Sequence, residues 1–134
     1  MNSDTYFSYF MALLGAGCSW FFGELDGLLR ILLVMVILDQ ITGVTKSFIL
    51  KQWCSDIGFR GIARKIVIFL LVGLAHVIDK ELPGQGEALR DAVCCFYIAN
   101  EGLSILENII AMKLPVPNSL KERFLSWHNE HSAK

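Results

Sequence analysis

The run Phe96 to Asn108, FYIANEGLSILEN, places two glutamates and two asparagines inside a segment otherwise apolar enough to enter a bilayer. On a helix advancing about 100° per residue, Tyr97, Asn100, Glu101, Ser104, Glu107 and Asn108 fall within one sector about 120° wide. The remaining sides carry Phe96, Ile98, Leu103, Ile105, Leu106 and Ile109. A charged side chain at a bilayer centre costs roughly 2.5 to 3.5 kcal/mol on insertion scales, so two carboxylates in one span must face protein or water. The stretch predicts a membrane helix with one polar face, and the rest of the chain has to supply that face with partners.

Composition agrees with this class. Of 134 residues, 54% are hydrophobic and only 19% charged, which is too apolar for a soluble domain of this size. The net charge of -1 and the absence of a basic stripe exclude a nucleic-acid partner. Cys18, Cys54, Cys94 and Cys95 show neither CxxC spacing nor a matching histidine pattern, so they are expected to act as small apolar residues, with no metal and no cofactor. The first ten residues contain Asp4 and no Lys or Arg, so no cleavable secretory signal is expected.

In chain order, the first hydrophobic block is 6–23, with Tyr6, Tyr9 and Phe10 at one end and Trp20, Phe21 and Phe22 at the other, as two membrane interfaces favour. It is just long enough to cross, and could instead lie half-inserted. The second block, 28–50, carries DQITGVTK, in which Asp39, Thr42, Gly43 and Lys46 share one helical face. Gly43, with Gly73 and Gly102 on later blocks, suits close packing of helix backbones. A polar connection follows from Lys51 to Arg64, with Trp53 suited to an interface and Gly58 and Gly61 suited to turns.

The third block, 62–79, places Lys65, Val72, His76 and Asp79 on one face. His76 lacks a second ligand at metal spacing and reads as a packing or hydrogen-bonding residue. Pro83, Gly84 and Gly86 make a turn before the fourth block, 89–112. LPVP at 114–117 ends that block, and Ser119 with Glu122 reads as a capping box opening a short amphipathic helix whose apolar side is Leu120, Phe124 and Trp127. The expected fold is thus an all-α integral membrane protein. Residues 1–112 form a bundle of four hydrophobic helices, three spans plus an N-terminal one, and 113–134 form a cytoplasmic tail with an interfacial helix.

Lys46, Lys51, Arg60, Arg64 and Lys65 flank the connection between blocks two and three, which the positive-inside rule places in the cytoplasm. Lys113, Lys121, Arg123 and Lys134 place the C-terminus on the same side, consistent with two crossings between them. The expected candidates for an intramembrane polar or pore-lining role are Asp39, Thr42, Lys46, His76, Asn100, Glu101, Ser104, Glu107 and Asn108. In a monomer, Asp39 or Glu101 is expected to pair with Lys46, Lys65 or a neighbouring amide.

Four ordered stretches carry a resemblance to a known family: DQITGVTK (Asp39 to Lys46), SDIGFRGIARK (Ser55 to Lys65), FYIANEGLSILEN (Phe96 to Asn108) and PVPNSLK (Pro115 to Lys121). They resemble the phage holin family that includes toxin-secretion and phage-lysis holins of Gram-positive bacteria, over roughly three quarters of the chain. Leu114 stands where a glycine would be expected. The resemblance implies a multi-pass protein of the bacterial cytoplasmic membrane that homo-oligomerises and permeabilises the bilayer, releasing an endolysin or toxin. The family's polar intramembrane positions match Asp39, Asn100, Glu101, Glu107 and Asn108.

Two other classes remain open at this level. Intramembrane Glu, Asp and His are also the parts of a proton channel, although no internal repeat of the transporter kind is present. A regulatory subunit such as an antiholin would have the same outline. Glu101 and Glu107 have no accompanying nucleophile, metal cluster or phosphate loop, so the chain is not expected to be an enzyme, and no catalytic residue is assigned.

Overall fold

The computed structural model describes residues 2–52, 55–84 and 86–132, with backbone only at 55–57, 124, 127, 128, 131 and 132. The expectations for Trp53, Cys54 and the side chains of Phe124 and Trp127 therefore lie outside the described residues. The described residues form five helices and no strand: α1 (Ser3–Phe22), α2 (Gly27–Ile49), α3 (Ser55–Glu81), α4 (Ala88–Ala111) and α5 (Asn118–Ser132).

Three segments are long and apolar enough to cross a membrane: Gly27–Ile49, Gly58–Glu81 and Ala88–Ala111. Each is at least 23 residues, about 35 Å at 1.5 Å per residue, matching a hydrocarbon core of about 30 Å. The outward faces are what lipid requires: Ile37, Leu38 and Ile41 on α2, Ile66, Val67 and Leu70 on α3, and Phe96 on α4 are all exposed. The sequestered interior is narrow, built on Leu29, Leu32, Val36, Ile68, Val72 and Cys94.

Helix α4 packs most extensively on α2 and next on α3, while α2 and α3 touch little, so α4 is the element the bundle closes around. Helix α1 buries none of its residues and rests on α3. It is not among the three membrane-length apolar helices, because its serines, tyrosines and glycines dilute its leucine and phenylalanine core. Its seat is Gly73: a Cβ there would lie 1.9 Å from the Phe21 ring, so only hydrogen lets the ring sit down on α3. Phe22 then meets Phe69 edge to face at 6.3 Å.

Two expected boundaries shift. Helix α3 begins at Ser55, so Gly58 and Gly61, expected in turns, are helical. The helix there faces α2 at close range, with Gly61 placed where a Cβ would sit 3.6 Å from Gln40 Oε1. Helix α5 begins at Asn118, and the Pro117 carbonyl accepts from the backbone amides of Leu120 and Lys121, so Ser119 lies inside the helix and does not open a capping box.

Candidate functional site

Two polar clusters tie the bundle together. The first lies at mid-span, where the 120° polar sector of α4 meets α2 and α3. Burial grades across that sector: Glu101 and Asn108 are buried, Tyr97 and Ser104 half-buried, and Asn100 and Glu107 exposed. The sector is wider than the contact it serves, so only the edge turned toward α2 and α3 is enclosed.

On the enclosed edge, Lys65 Nζ of α3 donates to both Asp39 Oδ2 of α2 and Glu101 Oε2 of α4. Glu101 is 1% exposed and Asp39 9%. Asn108 Nδ2 donates to Asp39 Oδ1 at 3.3 Å and to Thr42 Oγ1 at 3.2 Å. Gly43 leaves room for this amide, since a Cβ there would stand 3.6 Å from Asn108 Nδ2. One ammonium thus holds two carboxylates from different helices. Burial of such charges is tolerable only with this pairing and the added amide hydrogen bonds.

The other sequence candidates stand apart from this cluster. Lys46 is half-buried one turn beyond Thr42, and its side chain makes no hydrogen bond or ion pair among the described residues. Ser104, Asn100 and Glu107 point progressively away from α2 and α3. His76 belongs to the second cluster, and Gly102 faces α2, a Cβ there falling 3.2 Å from Met35 Cε.

The second cluster sits at the end where the α1–α2 and α3–α4 links meet, and its centre is Arg90, which sequence reasoning passed over. The guanidinium is 0% exposed. It donates to the carbonyls of Phe22 and Glu24, each at 2.9 Å, and to Asp26 Oδ2 at 2.6 Å, and lies 3.2 Å from Glu87 Oε2 and 3.6 Å from Asp91 Oδ1. The acidic trio Asp26, Glu87 and Asp91 therefore already surrounds a cation. Asp79 accepts from the amides of Leu89 and Arg90 at 3.2 and 2.7 Å, satisfying donors at the start of α4. A signal was present in the sequence: an arginine in the first turn of an apolar helix, with Glu24, Asp26 and Glu87 in the adjoining links.

His76 is buried beneath this cluster with neither ring nitrogen hydrogen-bonded. Its Nδ1 lies 3.2 Å from Glu87 Oε1, close but not aligned for a bond. Gly23, at φ 77°, packs on the ring, and a Cβ there would fall 2.7 Å from its Cε1. Position 23 thus needs glycine for both backbone and space.

Asp26 also accepts from the Leu29 amide at 2.9 Å as the N-cap of α2. The hydrogen bond from Arg90 is the main cause that holds its carboxyl below the ordinary value of 3.8, burial acting against it. A depressed folded value means the stabilisation is full above 3.8 and is lost as pH falls from there through the lowered value. Thermal unfolding in detergent should therefore show a loss of stability in that acid window that is absent from Asp26→Asn. Equal acid sensitivity in both proteins would contradict it.

Comparison with known proteins fits this architecture. The model of the bacteriophage holin family matches residues 16–129. The chain belongs to the bacteriophage holin family. Among its relatives in that family, a protein named "Probable holin" of Bacillus phage phi105 is 39% identical over 87% of this chain and 84% of its own length. A Listeria innocua protein is 45% identical over 83% of this chain and 79% of its own. A Clostridium perfringens protein encoded in a nagH 3' region is 38% identical over 96% of this chain and 98% of its own. No solved structure matches the chain. The holin-family match includes both clusters, and with three membrane-length helices it makes this a multi-pass membrane protein.

Proposed function

We propose that the chain accumulates in the bacterial cytoplasmic membrane, homo-oligomerises and at a set time permeabilises the bilayer, so that an endolysin or toxin leaves and the host lyses. The observation that carries this reading is the Lys65, Asp39 and Glu101 cluster at mid-span, on a chain of the holin family. Charged groups within a membrane span mark functional positions, and these three have a second, hydrated arrangement open to them beside the paired one. In the closed monomer they satisfy one another. In the lesion they face water, and the protein shifts population between the two.

The orientation follows from charge. Lys46, Lys51, Arg60, Arg64, Lys113, Lys121 and Arg123 gather at the end holding the α2–α3 link and the tail, which supports a cytoplasmic C-terminus. The opposite end holds the Arg90 cluster.

Induced expression in a bacterial host, with viable count, membrane potential and release of a cytoplasmic reporter enzyme recorded together, tests the reading. Abrupt death at a reproducible delay, with the reporter escaping once the wall is opened, is expected. Depolarisation with the reporter retained would instead indicate a small ion or proton channel, and no effect would indicate an antiholin-like regulatory subunit.

A further inference from the structure

Asn100 is an exposed carboxamide about 16 Å from the C-terminal end of α4, the middle of the span. It makes no side-chain hydrogen bond among the described residues. In hydrocarbon an unsatisfied amide costs several kcal/mol, so this face of α4 is incomplete in the monomer. Its flanks on the same side are apolar, with Phe96 65% exposed and Leu103 half-buried, at spacings of four and three residues from Asn100.

The remaining outward surface says what completes it. Exposed side chains in the middle of α2 are Val34, Ile37, Leu38 and Ile41, and those of α3 are Ile66, Val67, Leu70, Leu71 and Leu74. Among the described residues at that depth of the three spans, Asn100 alone is an exposed amide, hydroxyl or charged group. The other carboxamide near that depth, Gln40, is half-buried and turned toward Gly61 of α3, and copies inserted in one orientation hold Asn100 at one depth, so the group that meets it on a second copy is its own counterpart.

We propose that the Phe96, Asn100 and Leu103 face of α4 is a docking surface for the same face of a second copy, the two carboxamides pairing across a two-fold axis along the membrane normal. A carboxamide carries both donors and an acceptor, so two identical ones are mutually complementary. The contact is isologous and closes at two chains, which makes the dimer the unit from which any larger assembly is built. The helices run parallel, so Glu107, seven residues on and four from the end of α4, faces its own mate near the headgroups. Repulsion there opposes the amide pair and tempers the contact. This names the partner of the oligomer in the reading above, and rests on that reading only for its consequence in lysis.

The test is oxidative cross-linking with copper phenanthroline in native membranes, on full chains with the four cysteines replaced by serine and one cysteine reintroduced. Cysteine at 96 or 103 should give covalent dimers, while cysteine at the native position 95, about 100° around the helix from the seam, should not. On the Leu103→Cys background, Asn100→Leu should lower the dimer yield about three- to tenfold at matched dilution, the range expected of one interhelical amide pair. Glu107→Gln should raise it. Both positions are exposed, so neither variant disturbs the monomer core. Cross-linking at 95 equal to that at 103, or an Asn100→Leu yield equal to the parent, would overturn the proposal. Dimers that form normally in a chain that releases no reporter would leave the contact standing and sink the lesion reading instead.

Discussion

A Lys65→Met chain should unfold in detergent with a closed form weaker by about 3 to 5 kcal/mol, the usual cost of removing one member of a buried ion pair. The change leaves Asp39 and Glu101, both buried, without the ammonium that each shares. Asn108 continues to bond Asp39 but offers Glu101 nothing. The loss comes from two orphaned carboxylates, so neutralising them should reverse it. The triple variant Asp39→Asn, Lys65→Met, Glu101→Gln should recover most of the stability, because replacing a whole buried charge group is often close to neutral. At matched membrane levels, Lys65→Met should also advance the onset of lysis. Unfolding and timing both equal to the parent would show that the cluster does not hold the closed form.

Arg90→Leu should be about as damaging, for a different reason. The guanidinium satisfies two backbone carbonyls and the Asp26 carboxylate from a fully buried position, and it fixes the α1–α2 link against the start of α4. Its removal takes the donor from four acceptors, of which those on Glu24, Asp26 and Glu87 are partly open to solvent, a loss of about 2 to 4 kcal/mol, and frees the link at Glu24 to Gly27 for proteolysis. Arg90→Lys should rescue little, because an ammonium cannot span acceptors that a planar fork reaches at once. The measurement is limited proteolysis with thermal unfolding in one detergent, and an Arg90→Lys protein as resistant as the parent would contradict the assignment.

These two clusters differ in how far the sequence disclosed them. Asp39, Thr42, Glu101 and Asn108 were legible because helical spacing puts them on single faces of apolar blocks, and a buried carboxylate needs a cation, of which Lys65 was one of two named. The choice between Lys65 and Lys46 depends on how α3 leans on α2, which no local pattern carries. The split of the α4 sector was likewise invisible, since period alone gives a sector's width and not how much of it a neighbour covers. Arg90 was missed because its partners lie in the backbone of a link more than sixty residues away. The expected α3 start falls too late because Gly58 and Gly61 are turn residues by propensity, whereas both lie inside α3, Gly61 alone of the two approaching α2, at Gln40. The three membrane-length helices and the breaks at Pro83 and at 114–117 came from length, hydropathy and proline chemistry, which act locally. Family membership agrees with the four stretches that carried the resemblance.

The central claim is that the mid-span cluster is dry in the closed bundle and wet in the lesion. Thr42→Cys, in a chain whose four cysteines are serine, places a thiol beside Asn108 in that cluster. Labelling with a membrane-impermeant thiol reagent should be negligible before the onset of lysis and should rise abruptly with it, in step with reporter release. Reporter release with Thr42→Cys still unlabelled would contradict the account, because the lesion would then be lined by some other surface.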